Sequence, residues 1–233
     1  MARILEEMVT IPAGTFRMGD RRVREERPVH EVTISQSFQM SPKLVTQGLW
    51  EEVMGRLPSL RDVERHPDNP IIHISKRAID TFLERLNARL RSGRFDLPTE
   101  AQWEYACRAG STGIYCFGNH SYELERFAWT KRNSESRLQR VGLLEPNNWG
   151  LFDMHGLVYE TMRDGHRKFT CQAVTDPVGP LDGDHFVARG GCWSRHPVDG
   201  KRPGNEHFRC ASRQRYEKGH RCSIRLVWLE EEK

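Results

Sequence analysis

Long apolar runs are missing from this sequence. Only 37% of its 233 residues are hydrophobic, its mean hydropathy is −0.70, and nothing approaches the roughly 20 apolar residues that a membrane-spanning helix needs. No membrane association is therefore expected. Met1-Ala-Arg-Ile-Leu-Glu-Glu-Met8 has acids where a secretory signal carries its apolar stretch, so the expected location is cytoplasmic. In that setting the six cysteines (Cys107, Cys116, Cys171, Cys192, Cys210 and Cys222) are expected to be mostly reduced. They include no Cys-x-x-Cys pair, which argues against a zinc ribbon or a thioredoxin-like centre. The ten histidines include no i, i+4 pair that one helix face could present to a metal. Internal repeats, low-complexity runs and linker-like stretches are also missing, and a single domain over residues 1–233 is expected. The net charge of +4 is too small to indicate a nucleic-acid partner by itself.

What is abundant is glycine and proline, 19 and 12 respectively, which predicts short elements joined by much irregular chain. Val9 to Gly19 alternates around Pro12 and Gly14 as a strand with a turn, and Pro28 to Ile34 and Phe38 to Met40 continue the alternation. Thr46 can cap a helix that runs through Trp50 and Met54 and stops at Gly55. Ser75 can cap a second, with Ile79, Phe82, Leu83, Leu86 and Leu90 on one face and Gly93 at its end. Thr99 and Gln102 form a capping box for a third, whose Trp103 and Cys107 share a buried face. Residues 110–145 and 164–183 read as loop. Phe186 to Arg189 and Ser223 to Trp228 read as strands.

Two stretches stand out from this scaffold. In Gly150-Leu-Phe-Asp-Met-His-Gly-Leu-Val-Tyr-Glu160, Asp153 and Glu160 bracket a glycine in a run too apolar for an ordinary surface loop. Two carboxylates around a turn suit a hard, oxygen-binding cation such as calcium. In Arg189-Gly-Gly-Cys-Trp193 two glycines stand beside a tryptophan, where backbone passes close to something bulky. Between Arg189 and Arg225 ten Lys or Arg stand against three acids, a local balance of +7. Such a segment can meet an acidic protein or peptide, a phosphate or a nucleic acid; a solvated basic surface is the plain alternative.

Several stretches together resemble the formylglycine-generating enzyme and sulfatase-modifying-factor domain family. They are Ile11-Pro-Ala-Gly-Thr-Phe-Arg-Met-Gly19, Val45-Thr-Gln47 with Trp50, Leu97-Pro-Thr-Glu-Ala-Gln-Trp-Glu-Tyr-Ala106, Pro146-Asn-Asn-Trp-Gly-Leu-Phe-Asp-Met-His-Gly156, Asp176-Pro with Gly179-Pro, Arg189-Gly-Gly-Cys-Trp193 and Ile224-Arg-Leu-Val227. The series follows family order and spans almost the whole chain. The resemblance implies an α+β, C-type-lectin-like fold: two early helices on small antiparallel sheets with long ordered loops. It also implies a structural calcium site made by the side chains of Asp153 and Glu160 and the backbone oxygens of Gly156 and Val158.

The family's oxidation of a substrate cysteine uses two cysteines that hold copper shortly after the double glycine. The corresponding stretches here, Trp193-Ser-Arg-His-Pro197 and Pro203-Gly-Asn-Glu-His207, contain none. Cys192 and Cys210 are the nearest thiols, and buried packing is the expected role of each. Copper and iron are not expected. The core turn also departs from the family: Leu157-Val-Tyr-Glu-Thr161 stands where Asn-Val-Trp-Glu-Trp is usual.

The sequence therefore favours binding over catalysis, with residues 189–225 as the ligand-binding segment. Its candidate contacts are Trp193, Arg195, His196, Arg202, Asn205, His207, Arg209, Arg213, Arg215 and Tyr216, rich in the aromatic and Arg side chains that binding hot spots favour. The same interval resembles the hypervariable segment of the variable proteins of diversity-generating retroelements. Two alternatives stand beside this reading: a metal-dependent oxidoreductase with an unrecognised site, and a regulatory subunit whose basic face meets a protein or nucleic acid.

Overall fold

Turn residues cut the N-terminal half into short pieces, and each piece finds a partner far away in sequence. The computed structural model describes residues 2–60, 63–181, 186–194, 207–216 and 222–230. Its first elements are α1 (Ala2–Glu6), β1 (Val9–Ile11), β2 (Gly14–Met18), β3 (His30–Ile34) and β4 (Phe38–Met40). They are followed by α2 (Gln47–Met54), α3 (Lys76–Asn87), β5 (Arg94–Asp96), α4 (Glu100–Arg108) and the single turn α5 (Leu124–Phe127). The last part supplies β6 (Tyr159–Gly165), β7 (Val174–Thr175), β8 (Phe186–Arg189), β9 (Gln214–Tyr216), β10 (Cys222–Ser223) and β11 (Val227–Leu229).

Among the described residues three small sheets form. In the first, of order β1-β4-β11-β5, all neighbours are antiparallel, so the end of the chain closes onto its beginning. In β2-β3-β7 the first pair is antiparallel and the second parallel. In β10-β6-β8-β9 the strand β6 is central, parallel to β10 and antiparallel to β8. This is the α+β architecture expected from the sequence.

The helices follow their caps. Thr46, Ser75 and Thr99 each accept a backbone N–H of the first turn, and Thr99 and Gln102 complete the capping box. The apolar stripe of α3 (Ile79, Phe82, Leu86) is buried, and Phe82 stacks on Trp50 of α2 at 4.8 Å. α3 stops at Asn87 rather than running to Gly93. The Asn87 amide exchanges hydrogen bonds with the backbone of Phe95, donating at 2.9 Å and accepting at 2.8 Å. That clamp turns the chain into β5 one helical turn early. Gly93, at φ +63°, is needed because a Cβ there would meet the Trp228 ring at 2.2 Å.

Two departures concern the later strands. β6 begins inside the stretch that reads as a turn and continues into one that reads as irregular. Six of its seven residues are buried, including Glu160, Thr161 and Asp164, so the apolar–polar alternation of a half-exposed strand is absent. The closing strand is two strands in different sheets, β10 and β11, with Ile224-Arg-Leu226 crossing between them.

Candidate functional site

The turn that leads into β6 is held from within. Asn147 accepts the N–H groups of Trp149 and Leu151 at 3.0 and 3.1 Å and donates to Ala106 O on α4 at 2.8 Å. Asp153 and Leu157 both take left-handed backbone, φ +62° and +64°, which a non-glycine residue adopts at a cost of order 1–3 kcal/mol. Gly156 has no room for a side chain, since a Cβ would lie 2.6 Å from Trp129 O. Asp153 is 2% exposed; one carboxylate oxygen accepts Gly142 N–H at 2.8 Å, while Oδ1 is buried without a hydrogen bond. Burial pushes its pKa up to about 6, against that hydrogen bond and the charge of Arg225.

Glu160 does not serve with Asp153 as a free ligand pair. Both of its oxygens accept from Arg225, at 2.9 Å from Nε and 2.9 Å from Nη2, and both side chains are fully buried. The remaining Arg225 N–H groups reach Ser41 O (3.0 Å), Pro42 O (2.7 Å) and Phe152 O (2.8 Å). The expected calcium set of Asp153, Glu160 and the carbonyls of Gly156 and Val158 is thus corrected at Glu160. A guanidinium already supplies the positive charge there, and its fork fits the carboxylate. These residues do not fit a calcium ion as a set.

The double glycine makes the close crossing that its composition implies. Gly190 and Gly191 lie at φ +97° and +83°, and a Cβ on Gly191 would meet Phe208 at 2.8 Å and His207 O at 3.0 Å. Beyond it, Cys192 Sγ lies 3.3 Å from Ser194 Oγ, and Trp193 is 2% exposed, with its N–H donating to Leu157 O. Trp193 packs with Leu157, Val158, Cys192 and Cys222, whereas Cys210 packs in a separate core with Met154 and Cys107. The structure does not bring Cys192 and Cys210 together.

Much of the expected contact surface points inward. Arg209 grips Glu26 with two hydrogen bonds of 2.6 and 2.7 Å, and Arg213 grips Glu100 at 2.7 and 2.5 Å. Both arginines are 4% exposed. Arg189 joins them by bridging Glu100 and Glu104 of α4, and Arg108 closes the network on Glu104. Burial pushes Glu26 up to about 7 against its partner Arg209. For Glu104 the same desolvation is outweighed, and Arg108, Arg189 and Gly19 N–H hold its carboxyl below the usual range. Trp193, Arg209 and Arg213 are therefore corrected from surface contacts to interior ties: large apolar area and paired charge are buried together.

What stays outward is narrower. Arg215 on β9 is exposed. His207 is half-buried, with Nδ1 2.9 Å from the Tyr159 hydroxyl. Tyr216 ends β9. Arg195, His196, Arg202 and Asn205 lie outside the described residues. Two groupings had no signal in the sequence: the Tyr159–His207 pair, and a buried cluster of Cys107, His155 and Cys210. Their members are far apart along the chain and follow no motif spacing. Among the described residues no helix is long and apolar enough to cross a membrane.

Comparison with known proteins places this geometry in a group. Residues 2–226 match the model of the sulfatase-modifying factor enzyme 1-like domain. The serine/threonine-protein kinase pkn1 of Chlamydia pneumoniae is 28% identical over 244 residues, which are 93% of this chain and 36% of that protein. The chain thus spans about a third of the length of that kinase. The formylglycine-generating enzyme of Mus musculus is 25% identical over 275 residues, covering 90% of this chain and 70% of that enzyme. Among solved structures, Treponema denticola variable protein 1 superposes with a TM-score of 0.81 at 24% identity, covering 96% of this chain and 95% of that one. PvdO from Pseudomonas aeruginosa gives 0.79 at 24%, covering 95% and 94%. Both neighbours share the C-type-lectin-like fold of the formylglycine-generating type.

Proposed function

The chain belongs to the sulfatase-modifying factor enzyme 1-like domain family, and on that premise we propose that it uses the family scaffold as a binding module, without oxidising substrate cysteine to formylglycine. One observation carries the second half of this reading. The two thiols nearest the double glycine, Cys192 and Cys210, belong to different cores, and the sequence from Trp193 to His207 contains no cysteine. A soft monovalent copper ion at that place would lack its two sulfur ligands.

The ligand class is a protein, peptide or other acidic group. It is met by the outward part of residues 189–225, of which Arg215 is the described cation. Calcium is not required, since Arg225 stands in the place where the ion's charge would act. The test is to incubate reduced, copper-supplied protein with a cysteine-containing sulfatase-type peptide and measure aldehyde by hydrazide capture. No aldehyde above the protein-free control is expected; catalytic aldehyde formation would overturn the reading.

A second reading has its own support: homologous sequence makes up 36% of the chlamydial kinase, so the domain also occurs as one part of longer proteins. A regulatory part of a larger assembly would bind its neighbour through the same face. Gel filtration of the native chain from its source lysate distinguishes the two, since elution at the mass of the chain alone would remove the assembly.

A further inference from the structure

A pocket of about 800 Å³ opens where β2, the end of α4 and the loop at 110–114 meet, a size that suits a small molecule. No residue of 186–216 lines it, so it is apart from the outward face after the double glycine. One wall is aromatic. Phe16 of β2 packs on Tyr105 of α4 at 5.2 Å, and Trp149 meets Tyr105 edge-on at 4.9 Å. Phe16 and Trp149 are only half-buried, which leaves ring surface open. The Tyr105 hydroxyl makes no hydrogen bond among the described residues. It has space because residue 14 is glycine, where a Cβ would lie 2.4 Å from it.

The walls are fixed without a ligand. Arg108, 7% exposed, donates to Glu104 at 2.8 Å, to Gly19 O at 3.2 Å at the end of β2 and to Gly113 O at 3.0 Å in the loop. Ser111 Oγ accepts Gly113 N–H at 3.1 Å and donates to Tyr115 O at 2.9 Å. A site already shaped in this way avoids much of the ordering cost of binding.

Charge decides what suits the pocket. An aromatic wall alone could take a flat apolar ring or, over its faces, a cation. Four arginines line the pocket against one acid, Asp20. Arg108 is engaged by Glu104, and Arg22 holds Asp20 at 2.7 Å, with Arg209 3.4 Å away. Arg17 has only the Val29 carbonyl, at 3.4 Å, and Arg21 has no hydrogen bond or ion pair among the described residues. Both are exposed. Two unpaired guanidinium groups repel a cation, and their planar forks match a carboxylate.

We propose that this pocket binds a small aromatic carboxylate, its ring against Phe16, Tyr105 and Trp149 and its anionic end met by Arg17 and Arg21, with the Tyr105 hydroxyl as a further donor. Binding makes and breaks no covalent bond. The site does not depend on the face after the double glycine, and either proposal can fail alone.

The test uses naphthoate as the probe, with naphthylmethanol and naphthylmethylammonium as its neutral and cationic counterparts and acetate as an anion without a ring. Calorimetric titration of the full-length protein should show one naphthoate site with a Kd on the order of 1 mM or below. Naphthylmethanol should bind more weakly, and acetate and the ammonium probe not measurably. Arg17→Gln with Arg21→Gln should weaken naphthoate by about 10-fold and leave naphthylmethanol unchanged. Trp149→Leu should weaken both, and Arg215→Glu neither. If Trp149→Leu loses its folded circular-dichroism signal, nuclear Overhauser contacts in the wild type decide, with naphthoate ring protons expected near Tyr105 and Trp149. No uptake, acetate or the ammonium probe binding as tightly as naphthoate, naphthoate unchanged in the double arginine variant, or contacts only to other residues would overturn the proposal.

Discussion

The arginines of the C-terminal segment divide into two populations with opposite uses. Arg189, Arg209, Arg213 and Arg225 are each at most 4% exposed, and each faces an acid from elsewhere in the chain: Glu100 with Glu104, Glu26, Glu100 and Glu160 respectively. Arg215, two residues from Arg213, is exposed on β9. Strand alternation would put positions two apart on the same side, but Arg213 precedes β9, which begins at Gln214, so the two arginines do not share that strand's geometry. A local balance of +7 therefore overstates the positive surface, because four of the ten cations are used to clamp the last part of the fold onto α4, the turn at Glu26 and β6. Buried pairs of this kind are weak evidence of stability gained. They are strong evidence of what breaking one would cost, since the remaining charge stays in the interior.

The largest effect should come from the inner population. Arg225→Met removes all five N–H donors and leaves Glu160 ionised and enclosed, so we expect a loss of about 3–5 kcal/mol in denaturant unfolding. The double variant Glu160→Gln with Arg225→Met should recover part of it, because no unpaired charge is then buried. A double variant as unstable as Arg225→Met alone would mean that packing, rather than charge, sets the cost. In the wild type, millimolar calcium should leave the melting temperature unchanged. A calcium-dependent rise of several degrees would restore the expected ion site, since an ion that binds only the folded state raises stability by mass action.

This division also shows what the sequence could and could not reveal. The helix starts at Thr46, Ser75 and Thr99 were legible because capping is local chemistry written within four residues. The glycine crossing at Gly190 and Gly191 was legible for the same reason. β6 was not, because Glu160, Thr161 and Asp164 are polar residues whose partners lie far off in sequence: Arg225 takes Glu160, and Asp164 accepts the N–H groups of Glu100 and Gly179. Polar residues that are buried and satisfied read as exposed loop until the fold supplies the partner. The same blindness put Arg209 and Arg213 on the surface. Family likeness, carried by motif order, gave the scaffold; it could not say which carboxylate had acquired an internal cation.

A smaller effect separates the two acids of the core turn. Glu160 has a guanidinium, whereas Asp153 has one hydrogen bond and one buried oxygen without any. With its pKa raised to about 6, Asp153 holds a proton more tightly in the folded protein than in the unfolded chain, where about 3.9 is usual. The stability tied to that proton is present below about pH 4 and is lost as the pH rises through 6. Asp153→Asn should therefore stabilise the fold by about 3 kcal/mol at pH 8 and by almost nothing at pH 4. Equal melting of the two proteins across that range would show that Asp153 is stabilised as an anion by something more than Gly142 N–H.

The smallest effect on stability, and the one that bears most on function, belongs to the outward arginine. Arg215 lies on the edge strand β9, opposite Val187 of β8, and its guanidinium faces solvent. Exchange of an exposed charge away from buried features moves stability by no more than about 0.5 kcal/mol. Arg215→Glu should therefore unfold at the wild-type denaturant concentration. It should nonetheless elute earlier from an acidic-ligand column, because it replaces a cation on the proposed face with an anion, and the difference should shrink with added salt as exposed charges are screened. Arg215→Lys should elute with the wild type if only charge is read, and earlier if the planar fork makes a bidentate contact. Unchanged retention of Arg215→Glu at low salt would take the described part of this face out of the binding surface and leave the proposed contact to residues 195–206.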